Sequence, residues 1–218
     1  LSPTERPAMT EYDSYLFLVA VSIAHHDGDE IFAEIAVFMG GNYLIAVTYD
    51  RAPELEQWFR RQEASKISAG LSGAFMLHSL LDAIVDGFFP VCDDIEETVD
   101  VLEESVFEGD DNIVPDALRL KRRLLVLRQK ITPIRDVING LLRRDIDLIP
   151  KEVLPFLQDA YDHTLRVAEI VDVNRDIIAG VLDAHLAQVS NSLNNSMRVL
   201  TVMATFLMSA SLVAGIYG

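Results

Sequence analysis

The final twenty residues, Val199 to Gly218, read VLTVMATFLMSASLVAGIYG and carry no charged side chain. About 20 consecutive apolar residues is the length an α-helix needs to cross a bilayer's hydrocarbon core. Only a helix or a closed barrel satisfies its own backbone there. The run follows a long polar helical pattern without cap or turn, which predicts one helix passing from water into lipid. The chain opens LSPTERP, with no initiator methionine or signal peptide, and stops inside the apolar run. Such ends predict a piece of a longer membrane protein, cut as its first span finishes.

Half the residues are hydrophobic, enough for a sizeable core beside the tail. The single cysteine, Cys92, excludes an internal disulfide and suits a reducing, cytoplasmic compartment. A formal charge of -16 argues against nucleic acid, whose phosphates require a basic surface, and is compatible with cations. No nucleophile elbow, Walker loop or zinc-protease motif occurs, so the sequence predicts no enzyme.

Residues Tyr12 to Tyr49 read as strands: YLFLVAVSI, IFAEIAVFM and NYLIAVTY are rich in β-branched and aromatic side chains. Asp27-Gly28 and Gly40-Gly41-Asn42 mark the turns between them. His25, His26, Asp27 and Asp29 crowd the first turn and read as a solvated turn rather than a metal cluster. A short helix follows, with Pro53 in its first turn and Trp58-Phe59 on its buried side. From Leu71 the pattern is helical: one segment to Glu108, a second from Val114 to Arg144, a third from Lys151 into the apolar tail. These patterns divide the chain into a sheet-containing part (1–68), a long-helix part (69–198) and a truncated span (199–218), an α+β architecture.

Between Asp93 and Asp111 lie ten acidic side chains and no basic one; between Arg119 and Arg135 lie seven basic and no acidic ones. A turn near Gly109–Pro115 would fold acid against base. On the third helix, winding at about 100° per residue gathers Asp162, Glu169, Asp172, Asp176 and Asp183 in one arc. The opposite arc collects Tyr161, Val167, Ile170, Val171, Ile178, Val181, Leu182 and Leu186. Continued into the span, the acidic arc becomes Asn194, Met197, Thr201, Met208, Leu212 and Gly215. Polar groups in a span usually face a bundle interior or a water-filled cavity, so this face predicts an ion path, with plain helix packing as the alternative. His78 with Asp82, and Asp159 with His163, are i, i+4 pairs able to hold a metal, although His163 and His185 wind to the apolar side as core histidines would.

These residues resemble the CorA family of divalent cation channels. RVLTVMATFLMSASLVAGIYG resembles the family's first transmembrane helix, with Gly218 as the glycine of its Gly-Met-Asn signature. FLQDAYDHTLRVAEIVDVNRDIIAGVLDAHLAQVSN is similar to its stalk helix, SLLDAIVDGFFPVCDDIEETVDVLEE to the helix before its acidic hairpin, and RPAMTEYDSYLFLVAV to the start of its sheet.

The resemblance implies a funnel-shaped homopentamer, anchored in the inner or plasma membrane by its C-terminal helix and otherwise cytoplasmic. It implies Mg²⁺, and Co²⁺ or Ni²⁺, as regulatory and transported ions. Asp159 matches one regulatory metal ligand between subunits, and Asp82 a carboxylate of a second, nearby site. Asp183 and Asn194 match polar pore rings, and Met197, Leu200 and Met208 the apolar constriction. Gly215 belongs to the same pore-facing arc. Ser209 replaces a proline common in relatives, and Asn195 a glutamate. The alternatives are a zinc transporter of the same superfamily and a membrane-tethered helical scaffold that conducts nothing.

Overall fold

Residues 8–26, 29–49, 52–64, 72–108 and 113–218 are described in the computed structural model, with residues 25, 26, 29, 107, 108 and 217 described by backbone alone. The Asp27-Gly28 turn, the side chains of His25, His26 and Asp29, and the turn at 109–112 therefore lie outside the described residues. Four strands, β1 (Met9–Glu11), β2 (Leu16–His26), β3 (Asp29–Met39) and β4 (Leu44–Thr48), form one antiparallel sheet in chain order. Leu16 pairs with Met39, Leu18 with Val37 and Ala20 with Ile35, so alternate residues share one face. That face is fully buried and belongs to the main core. On the other face the Phe17 and Phe38 rings meet at a tilt, 4.8 Å apart, and Ile45 and Val47 of edge strand β4 are half-exposed.

Helix α1 (Pro53–Ala64) begins with Pro53, whose missing N–H costs nothing at a first helical position. Trp58 is buried and donates from Nε1 to the Ser79 hydroxyl at 3.0 Å. Phe59 is 40% exposed, contrary to the expected pair, because consecutive helical residues diverge by about 100°.

The expected single helix from Leu71 to Glu108 is two: α2 (Gly73–Asp86) and α3 (Phe89–Glu108). Pro90 explains the break, since it offers no N–H to the Asp86 carbonyl and its ring crowds that oxygen. Gly87 and Phe88 instead donate to Ala83 and Val85, at 3.3 and 3.0 Å. At the other end of α2, the Gly73 N–H donates to the Gly41 carbonyl at 3.0 Å, and a β-carbon there would strike the Gly40 carbonyl oxygen.

Helix α4 (Ile113–Arg143) and helix α5 (Leu154–Tyr217) pack along each other, joined through a single 3-10 turn at Lys151–Val153. With 64 residues, α5 is about 95 Å long. Its expected apolar arc is buried from Val167 to Val181, where Val106, Ile113 and Val181 close the end of the helical layer. Beyond that point α5 stands free of the rest of the chain, and Leu186 is 64% exposed. The apolar window in its C-terminal part has a mean hydropathy of 2.1 and is 0% buried within the chain. The stretch Gly73–Val106 is also apolar, but its window is 44% buried, so it belongs to the core.

Cys92 is 1% exposed, and burial, then Glu96 and Asp93, push its thiol up to about 12. A thiol reagent at neutral pH should leave folded protein unmodified and label it only on unfolding, because the thiolate is the reactive form. Rapid labelling under native conditions, read by mass spectrometry, would contradict this placement.

Candidate metal centre

Residues His78, Asp82 and Asp86 recur every four positions on α2, which stacks them along one helix face. Asp159 and His163 do the same on α5, which packs against α2. The His163 ring stands between the two α2 carboxylates, with Nδ1 3.5 Å from Asp82 Oδ1 and 3.7 Å from Asp86 Oδ1. Both separations are too long for a hydrogen bond. Asp82 Oδ1 and His163 Nδ1 are buried without any hydrogen-bond partner. Burying such atoms unsatisfied is costly, and a cation would satisfy both.

One ligand atom from each of Asp82, Asp86 and His163 lies within 4.8 Å of the others. Octahedral ligands at about 2.1 Å from Mg²⁺ stand about 3–4 Å apart, so a small closure completes three corners of a shell. Two carboxylate oxygens and one imidazole nitrogen fit a hard divalent ion and also a first-row transition ion. Phe89 covers one side, its ring edge-on to His163 at 5.9 Å.

The surrounding field is strongly negative. Burial, followed by the Asp82 charge, raises the Asp86 pKa above the ordinary value; His163 and Arg61 oppose the shift, and Asp159 adds to it. Burial lowers the His78 pKa and outweighs the pull of Asp82, Asp159 and the Phe156 backbone. His78 thus favours its neutral form, and by geometry it stands beside the Asp82–Asp86–His163 group rather than in it. Asp159 is exposed, one turn from His163, and acts on His78 and Asp86 through its charge.

The structure recombines the two i, i+4 pairs. His163 is no core histidine: it is half-buried and directed at carboxylates. Asp86 was not singled out from sequence, although its i, i+4 relation to Asp82 is the signal that could have found it. On the stalk arc, Asp162, Glu169, Asp176 and Asp183 are exposed, whereas Asp172 turns aside to meet Arg128 at 2.8 Å. The acid-against-base expectation for α3 and α4 is met, among the described residues, by Arg123 and Asp94 at 2.6 Å. Arg123 also holds Glu30 of β3.

Asn194, Met197, Leu200, Met208 and Gly215 are all exposed along the free part of α5, and the Gly218 N–H donates to the Ala214 carbonyl at 2.9 Å. A single chain does not bring these residues together. The hydroxyls of Thr201, Thr205 and Ser209 return to carbonyls four residues earlier, at 2.7–2.8 Å. They are thus satisfied within the helix, as a lipid environment demands.

The chain thus combines a four-stranded antiparallel sheet, a helical layer carrying the Asp82–Asp86–His163 cluster and a C-terminal helix long and apolar enough to cross a membrane. The family model for the CorA-like Mg²⁺ transporter protein matches residues 1–218, and the chain belongs to that family. Members of this family are transporters, not enzymes. The chain is 44% identical over 145 residues to the cobalt/magnesium transport protein CorA of Thermotoga maritima, covering 66% of this chain and 41% of that protein. It is 27% identical over 215 residues to the putative metal ion transporter YfjQ of Bacillus subtilis, covering 98% and 67%. Its fold superposes on the complete CorA magnesium transporter from Methanocaldococcus jannaschii with a TM-score of 0.88 at 19% identity, covering 100% of this chain and 69% of that one. The chain thus spans between two fifths and about two thirds of these relatives' lengths. Its α+β fold with long C-terminal helices is that of the CorA-like funnel, and α5 carries a stretch long and apolar enough to anchor it in a membrane.

Proposed function

We propose that this chain is the cytoplasmic regulatory and pore-lining part of a homo-oligomeric Mg²⁺ channel that also accepts Co²⁺ or Ni²⁺. The observation that carries this reading is the position of the Asp82–Asp86–His163 cluster, one of whose ligands lies on the helix that enters the membrane. A cation there ties α2 to α5 and so couples its occupancy to the pore helix. Asp159, exposed one turn away on α5, is free to meet a carboxylate of a neighbouring copy. Such like charges repel across an interface, and a divalent ion between them offsets the repulsion and holds the closed arrangement.

Four exposed carboxylates of α5, Asp162, Glu169, Asp176 and Asp183, recur every seven residues, about 10.5 Å apart along the axis. A seven-residue repeat keeps one face toward a shared axis in left-handed supercoiled helices, which supports stacked carboxylate rings above the membrane. Past them, Asn194, Met197, Leu200, Met208 and Gly215 continue toward Gly218 as the narrow part of the path. When cytosolic Mg²⁺ falls, the sites empty, the ring loosens and the apolar constriction wets. A ligand drives such a shift only through its preference for one state, which ligation between subunits supplies.

Flux into proteoliposomes carrying the full-length protein tests this. Asp159→Ala and Asp82→Ala should each weaken inhibition by Mg²⁺ on the cytoplasmic side, by about tenfold for loss of one charged ligand. Inhibition unchanged in both variants would remove the gating role. The imidazole ligand favours a second reading, Zn²⁺ transport, and parallel Mg²⁺ and Zn²⁺ fluxes separate the two.

A further inference from the structure

The outward faces of α3 and α4 carry opposite charge and point away from each other. On α3, Asp93, Glu96, Glu97, Asp100, Glu103 and Glu104 are all exposed and wind onto one arc of about 120°. On α4, Lys121 and Arg122 are exposed between Leu118 and Leu125, which are 45% and 53% exposed. Among the described residues, none of these eight charged side chains has an ion-pair partner. Arg123–Asp94, which joins the two helices within the chain, leaves both outer faces bare.

Their heights along α5 coincide. Helix α3 runs in the same direction as α5, with Phe89 beside His163 and Val106 beside Val181. Helix α4 runs the opposite way, with Ile113 beside Val181 and Arg128 paired to Asp172. Between α3 and α4 themselves, Ile113 meets Val106 and Arg123 meets Asp94, which sets Lys121 and Arg122 within about one helical turn of the level of Glu96, Glu97 and Asp100. Rotation about an axis parallel to α5 preserves height, so a neighbouring copy presents its acidic face at the level of this chain's basic face.

We infer that the basic face of α4 docks on the acidic face of α3 of a second copy of this chain, head to tail around an axis parallel to α5. The inference rests on the homo-oligomeric reading above and adds the surfaces that meet. A two-fold contact of α3 on α3 would set carboxylates against carboxylates, whereas the head-to-tail contact matches charge and closes a ring. Leu118 and Leu125 supply apolar contact among the charges.

The test uses full-length protein in detergent, assembled from a mixture of normal and heavy-nitrogen-labelled chains and treated with a carbodiimide that joins amines to carboxylates in contact. A mixed-isotope peptide linking Lys121 to Glu96, Glu97 or Asp100 is expected. Arg122→Glu should lower its yield about fivefold, as should high salt, and adding Glu96→Lys should restore it. Same-isotope links alone, or a mixed link indifferent to Arg122→Glu, would overturn the docking. An oligomer of unchanged mass without the mixed link overturns the docking alone, and a monomer overturns the oligomeric reading with it.

Discussion

Cobalt(II) should raise the melting temperature of the wild-type chain, and His163→Ala should remove most of that rise while sparing a weaker response to Mg²⁺. The reason is the ligand set: imidazole suits first-row transition ions, whereas Mg²⁺ prefers oxygen and keeps most of its waters. A cation bound by the folded state alone, at about a hundredfold above its Kd, adds about 2.7 kcal/mol. For a chain of 218 residues this is about 5–10 °C. Equal loss of both responses in His163→Ala would show that the histidine is structural rather than a ligand.

The same site makes an opposite-signed prediction for Asp86. Its pKa is raised chiefly by burial, so its contribution to stability is fully present below the ordinary carboxylate range. That contribution is lost as pH rises through the raised value, leaving an ionised Asp86 that opposes folding at neutral pH until a cation offsets it. Asp86→Asn should therefore raise the melting temperature without metal and abolish the gain with metal. A lower melting temperature in metal-free buffer would sink this account.

Phe88→Ala should be the most damaging single core change. Phe88 is 0% exposed in the bend between α2 and α3, packed into the core that joins sheet and helices. Truncating a buried phenylalanine costs about 3–5 kcal/mol, because the cavity collapses only in part. At this chain length the melting temperature, followed by helical circular dichroism, should fall by about 6–20 °C. Because residue 88 follows Asp86 so closely, the cation response should weaken as well. A loss below about 1 kcal/mol would mean that the bend repacks freely.

The strands were legible because β-branched runs alternate with glycine turns, and their pairing follows from that pattern. The break at Gly87 was legible in Pro90 but hidden by unbroken hydropathy on both sides. Asp82 and Asp159 were reached through a family resemblance and by their i, i+4 spacing to histidines. The partnership of His163 with Asp86 was not legible, because winding one helix describes its faces without saying what each face meets. Asp172 illustrates the same gap: its place in the acidic arc is correct, yet Arg128 of α4 takes it.

What this amino-acid order determined alone is local and periodic. It includes the length of α5, the burial of its Val167–Val181 face and the uncharged end that suits lipid. Those properties depend on backbone geometry and solvent transfer, which act residue by residue. What only the tertiary structure decided is which chemistry-bearing side chains become neighbours across elements. Packing α2 against α5 set His163 between Asp82 and Asp86, and packing α3 and α4 along α5 set opposite charges at one height. Side-chain encounters between distant segments arise from the packing of whole helices, which no single helix encodes.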